Sequence, residues 1–400
     1  MTTVGISSRI ASEPGTPAAA GSQPADRSKP SLNALTGLRF LAAMGVVFFH
    51  FSQPILQGRS YILFNLAGSG YIAVDLFYLL SGFILAYSYL SPEGKLLGSR
   101  RNFYVSRFAR IYPAYFLAFI LAAPSDISTS LHVNHLATAV AKLAISAGSV
   151  LTLQQAWTPW TAWDWNYPAW SVSVEVFFYL LFPWLAIRLA RVKQTSALPL
   201  AGLFWLLGLV APFVLWALKG ATGQPSKADH LQMAIEFTPI FRLPEFAIGI
   251  LLGRAYVLGR FRRLNGSLLA TTAFVSIFAV LAFCPKLPHP LLANGLLAPL
   301  FALLIVSLAQ AKGPIAWFLA LPFMVTLGEA SYGIYILQIP LALLINRPPP
   351  YHSIRVLFIY CALLVVCSVV SWRFVESPLR KNIRRWLSKT ADYAPCPSAR

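Results

Sequence analysis

The chain has 400 residues, of which 57% are hydrophobic and only 11% charged, with a formal net charge of +19. That balance excludes an ordinary soluble domain and points to a protein that threads a membrane repeatedly. The basic residues stand mostly between apolar runs, where they act as topology signals, so the charge does not indicate nucleic acid; Cys284, Cys361, Cys367 and Cys396 have no metal-like or framework spacing and read as free thiols.

Residues 1–32 are small, polar and rich in Pro, Ala and Ser, the composition of a disordered tail rather than a signal peptide. Apolar runs of about 20 residues, enough to cross a bilayer, then recur near 33–53, 70–90, 109–123, 170–187, 197–218, 237–258, 267–284, 291–310, 322–345 and 354–373. The fold class expected is all-α: a polytopic membrane protein of about ten transmembrane helices over 33–376, followed by a basic tail at 377–400. An eleventh run, 137–153, is Ala/Ser-rich and carries Lys142. Making it cross would put most later positive clusters outside, against the positive-inside tendency. It is therefore expected as a short interfacial or re-entrant helix, with both termini cytoplasmic.

The first run, "TGLRFLAAMGVVFFHF" (36–51), carries two ionisable groups. Arg39 and His50 are eleven residues apart, close to three helical turns, so both project from one face about 16 Å apart at 1.5 Å per residue. Arg39 reads either as a lipid-phosphate anchor or as a functional cation. His50, the one histidine of six placed inside a span, reads as a polar bridge or as a functional base. In the second run, "GYIAVDLFYLLSGF", Asp75 falls at about the depth of His50, where a carboxylate can fix an imidazole tautomer and raise its basicity. Ser81 and Gly82 follow; such a pair marks a kink or close packing more often than a nucleophile.

The third run opens with "RFARIYP", which puts Arg107 and Arg110 near one another on a helix face, a basic mouth with Arg39 that suits a phosphate-rich donor. In "WSVSVE" Glu175 is expected at the depth of His50 and Asp75, while Trp170 is either an interface anchor or a wall of an acceptor pocket. Aromatics over 157–170 suit stacking on sugar rings. Arg242 and Glu245, three apart, form a natural intrahelical pair, and "LGEASYGIYILQ" buries Glu329, Tyr332, Tyr335 and Gln338, the last able to bind a substrate or another helix. His132 and His135 lack acidic partners and do not read as a zinc site. A proton-coupled transporter would also bury such groups at midspan, but it predicts matching halves, and no such symmetry is visible.

The ordered blocks Arg39-x10-His50, "GYIAVDLFYLLSGF", "RFARIYP", "WSVSVE", "RLPEFAIGILLG", "LGEASYGIYIL" and "FVESPLRKNIRR" resemble the membrane acyltransferase-3 family from about residue 33 to 385. The resemblance implies a bacterial inner-membrane enzyme that moves an acyl group, usually acetyl from acetyl-CoA, onto hydroxyls of sugars in surface polysaccharides, glycolipids or peptidoglycan, or onto macrolides and other small molecules. It implies acyl-CoA as co-substrate, with no permanently bound cofactor and no metal. The family's essential arginine and histidine fall on Arg39 and His50, its aspartate and serine on Asp75 and Ser81, its paired arginines on Arg107 and Arg110, and its "WSxxxE" glutamate on Glu175. The expected assignment is His50, Asp75 and Glu175 as catalytic groups and Arg39, Arg107 and Arg110 as donor site. Ser81, Trp170, Ser173, Arg242, Glu245, Tyr332 and Gln338 would serve in acceptor binding or support. In one departure, many members carry a histidine where this chain has Gln338.

Overall fold

In the computed structural model, each of the ten apolar runs folds into helix. Residues 1–2, 30–220, 223–283, 287–345 and 351–392 are described; residues 3–29 of the expected N-terminal tail, Cys284 and Cys396 lie outside them. The principal helices are α1 (Asn33–Phe51), α2 (Ala73–Tyr89), α3 (Arg100–Val133), α4 (Leu136–Leu151), α5 (Trp170–Ala190), α6 (Gln194–Lys219), α7 (His230–Phe237), α8 (Pro239–Val257), α9 (Gly266–Phe283), α10 (Ala298–Ala309), α11 (Pro322–Glu329), α12 (Ser331–Ile345), α13 (Ile354–Ser371) and α14 (Ser377–Asp392). No β-strand forms among the described residues.

Eight helical stretches among the described residues are long and apolar enough to cross a bilayer, and α11 with α12, bent by 54° at their junction, makes a ninth. The tenth expected span is α8, whose 19 residues include Arg242, Glu245 and Arg254. α4 has 16 residues, a length of about 24 Å at 1.5 Å per residue, short of the roughly 30 Å hydrocarbon core. Residues 377–392, expected as part of a basic tail, instead form α14, and Arg384 Nη2 donates to Ser106 Oγ of α3 at 3.2 Å.

Lipid tails are as apolar as leucine, so helix association in a membrane depends on close packing and polar contacts. Gly82 of α2 lies against Gly249 of α8 so tightly that a Cβ on Gly82 would come within 3.1 Å of Gly249 Cα. This fulfils the close-packing reading of Ser81-Gly82. Phe178 of α5 stacks on Phe246 of α8 with centroids 4.6 Å apart, which fills the space beside that contact. α1 is held by the same device: Gly37 lies against the Leu319 carbonyl and Gly328 against the Thr36 carbonyl.

The deepest polar cluster joins the same helices. Arg242 is 1% exposed and Asp75 0%; the two form an ion pair. Gly295 N donates to Asp75 Oδ2 at 3.0 Å, Arg242 Nη1 donates to Asn294 Oδ1 at 2.9 Å, and Glu245 Oε1 stands 3.6 Å from Arg242 Nη1. The predicted Arg242–Glu245 pair is thus present, with Asp75 as the closer partner. A charge in such a place is tolerable only when paired and hydrogen-bonded.

Candidate active site

Two cavities enter the bundle, one at each end of the Arg39–His50 stripe. The first, of about 320 Å³, is lined by Arg39, Arg107, Arg110, Ser81, Glu175, Tyr179, Glu329 and Tyr332 among others. Arg39 from α1 and Arg110 from α3 make no hydrogen bond to a described residue and face this space half-buried. Arg107 Nη2 donates to Tyr89 OH at 3.0 Å and to Ser106 Oγ at 3.2 Å, and its guanidinium lies over the Tyr89 and Tyr179 rings. Three guanidiniums face two carboxylates, Glu175 and Glu329, and Arg384 stands next to Arg107 across the shared Ser106 hydroxyl. Three guanidiniums lining one cavity have the chemistry that suits an anion with several oxygens.

The second cavity, of about 710 Å³, is lined by His50, Tyr71, Tyr167, Trp163, Trp170, Glu236 and His289 among others. Val74 and Tyr335 line both cavities, so these two side chains stand between the two spaces. In the second cavity, His50 Nδ1 lies 2.8 Å from Gln338 Oε1. Gln338 Nε2 donates to the Tyr335 carbonyl at 2.8 Å, and Tyr360 OH donates to the Gln338 carbonyl. An amide whose NH2 is already committed presents its oxygen to the imidazole. Nδ1 therefore carries the proton and Nε2 keeps its lone pair. Nε2 makes no hydrogen bond to a described residue, and the ring is held edge-on to Tyr167 at a centroid distance of 4.8 Å.

The predicted grouping of His50 with Asp75 and Glu175 does not form. Asp75 lines neither cavity; it points from α2 toward α8, where Arg242 needs a counter-charge, while its neighbour Val74 faces the cavities. Glu175 belongs to the arginine cavity, accepting from Tyr179 OH and, at 3.4 Å, from Ser81 Oγ. Trp170 lines the second cavity, with its ring 4.5 Å from Phe237. Ser173 is a loop anchor: its hydroxyl donates to the Leu153 carbonyl at 2.6 Å. Tyr332 lines the arginine cavity and ties α12 to α3 through the Ile111 carbonyl at 3.1 Å.

Sequence reading missed Tyr179, Glu236 and His289. Glu236 and His289 fall one or two residues before the starts assigned to their spans, 237 and 291, so they counted as loop. The signal that could have found Glu236 is the cap of α7, Asp229 followed three residues later by Gln232. Asp229 Oδ1 accepts from Gln232 N at 3.0 Å, and Lys219, 2.9 Å away, holds the Asp229 carboxyl below the usual carboxylate range.

A family model described as an acyltransferase domain, that of the acyltransferase-3 family, matches residues 32–373. The chain belongs to this family. The acyltransferase is 30% identical over 328 residues to "Acyltransferase MdmB" of Streptomyces mycarofaciens, covering 77% of this chain and 78% of that one. It is 25% identical over 382 residues to "Putative peptidoglycan O-acetyltransferase YrhL" of Bacillus subtilis (strain 168), covering 89% of this chain and 56% of that one. Against "Putative O-acetyltransferase SAR0937" of Staphylococcus aureus (strain MRSA252) the identity is 21% over 393 residues, covering 90% and 59%. The acyltransferase thus spans a little over half the length of the latter two. No solved structure matches it.

Proposed function

We propose that the protein is a membrane O-acyltransferase that takes an acyl group, acetyl by preference, from acyl-CoA in the arginine cavity. It passes that group to a hydroxyl of a sugar, in a surface polysaccharide or glycolipid, held in the His50 cavity. The carrying observation is that the two cavities have Val74 and Tyr335 as a common wall, with His50 lining the second and its Nε2 without a hydrogen bond to a described residue. The nucleotide phosphates dock at Arg39, Arg107 and Arg110, and the thioester arm runs along α1. His50 Nε2 takes the proton of the acceptor hydroxyl as its oxygen attacks the thioester carbonyl. Collapse of the tetrahedral intermediate breaks the C–S bond, and the thiolate recovers the proton from the imidazolium, leaving an ester and free CoA. Direct transfer is favoured because neither described cysteine has a base beside it and Ser81, with Glu175 as its partner, stands in the arginine cavity and not in the one that holds His50. Glu175 and Ser81 then sit with the donor, and Asp75, Arg242 and Glu245 hold the frame.

CoA is cytosolic, so the arginine cavity opens to the cytoplasm and both termini lie on that side, an orientation supported by the concentration of Lys and Arg there. The membrane is then a bacterial inner membrane. The volume of this cavity, about 710 Å³, also favours a second reading, in which the acceptor is a macrolide or another discrete small molecule. Purified protein mixed with acetyl-CoA should slowly release free thiol, and His50→Ala should lower that rate by about 10² to 10⁴, the usual contribution of a positioned base. Arg39→Ala should weaken CoA binding. Unchanged release in the histidine variant would overturn the assigned base.

A further inference from the structure

The His50 cavity contains a second histidine, and this one is backed by a carboxylate. His289 Nδ1 stands 3.2 Å from Glu236 Oε1, and Gln232 Nε2 donates to the same oxygen at 2.8 Å. Gln232 is itself fixed by the Gly223 carbonyl at 2.9 Å. Glu236 is 2% exposed and His289 7%, yet both line the cavity. Both hydrogen bonds go to Oε1, so Glu236 Oε2 has no hydrogen bond to a described residue.

The cavity wall that Glu236 and His289 share is rich in aromatic rings. The Tyr71 ring lies 4.3 Å from the His289 ring, Trp170 packs 4.5 Å from Phe237 and Trp163 5.6 Å from Phe237. Tyr71, Trp163, Trp170 and Phe237 all line the cavity. The cations of the same wall are otherwise engaged: Arg242 is held by Asp75 and Glu245, and Lys227 sits in an exposed loop within electrostatic reach of Asp126 and Asp164. In a chain of net charge +19, this corner presents a carboxylate with no committed cation. A buried carboxylate seeks a cationic partner, and aromatic faces attract cations.

We propose that Glu236 anchors a protonated amine of the acceptor, with the ammonium donating to Oε2 and the rings of Tyr71, Trp163 and Trp170 around it. The acceptor class is then an amine-bearing sugar or glycoside, held so that a hydroxyl reaches His50. His289 donates through Nδ1 to hold the carboxylate in orientation. This rests on the reading that the His50 cavity receives the acceptor.

Two probes that differ only in the substituent at C2 test it: methyl β-glucosaminide, whose amine is mostly protonated at a pH of about 6.5 or below, and methyl N-acetyl-β-glucosaminide, whose amide is neutral. Binding to the full chain in detergent is read without any acyl donor, from the fluorescence of the tryptophans, two of which line the cavity. The expected result is binding of the amine at least tenfold tighter than of the amide, with Glu236→Gln bringing the ratio close to one. Equal binding of both probes by the natural protein, binding of neither, or a ratio unchanged in Glu236→Gln would each overturn the proposal. Should Glu236→Gln fail to fold, the ratio in the natural protein decides alone, together with its loss in Trp163→Leu. Tight amine binding without transfer from acetyl-CoA would count against the acyltransfer reading and leave the anchor standing.

Discussion

His50 is oriented by an amide rather than by a second ionisable group. Gln338 Oε1 accepts the Nδ1 proton but takes none itself, so in the proposed reaction His50 carries the proton of the acceptor to the thiolate. Gln338→Leu removes the acceptor while keeping the volume. It should lower kcat about tenfold, the equivalent of roughly 1.4 kcal/mol and within the worth of one buried hydrogen bond, with the KM for acetyl-CoA unchanged; Gln338→Glu, which restores an acceptor, should recover the rate. Asp75 supports the opposite expectation. Because it is the closer counter-charge of Arg242, Asp75→Ala leaves a buried guanidinium with only Glu245, 3.6 Å away, and should cost about 3 kcal/mol of stability, seen as a lower melting temperature in detergent. An Asp75 that acted on His50 would lose rate without losing stability.

These two residues also show where sequence was informative. The Arg39–His50 stripe is visible because both groups sit on one helix, where 3.6 residues per turn decides which side chains share a face. His50 and Gln338 are 288 positions apart, and no periodicity carries that contact. For Asp75 the expected neighbour, His50, is not the one it has, Arg242. Depth follows from the count along one helix, whereas direction depends on how α2 crosses α8, which Gly82 and Gly249 determine together. Glu236 and His289 were hidden by boundaries that are uncertain by a few residues in any such reading.

Among the elements, α14 departs most from expectation. A stretch with the composition of a basic tail lies as a helix on α3, and Arg384 converges with Arg107 on the Ser106 hydroxyl. Its arginines extend the positive rim of the donor cavity, and Arg380 stands within electrostatic reach of Arg110 and Arg107. Truncation after Glu376 should therefore weaken CoA binding severalfold in a titration of the purified protein. An unaltered dissociation constant would show that α14 is only a cover for α3. The α11–α12 break has a different origin: Ser331 Oγ donates to the Gly328 carbonyl at 2.7 Å, satisfying a backbone group freed by the bend, as irregular backbone at membrane depth requires.

At the scale of the molecule, two cavities share only a thin partition, of which Val74 and Tyr335 are part. Opening and closing of that partition would decide whether donor and acceptor meet. Val74→Phe fills the junction without touching either charged site. It should abolish transfer while CoA still binds, checked by comparing a binding isotherm with the rate of ester formation; transfer at the natural rate would mean that the acyl group passes elsewhere.

The clamping of α1 by Gly37 and Gly328 makes that helix a gauge. Arg39 and His50 stand on this one helix, so their separation is fixed by its rise, and the clamp keeps both ends of that length in register with the cavities around them. In the proposed reaction, a carrier whose arm is shorter than that length, held by its phosphates at Arg39, would stop below the base however reactive its thioester. A cargo would then be rejected by the reach of its carrier, before any contact with the acyl group itself.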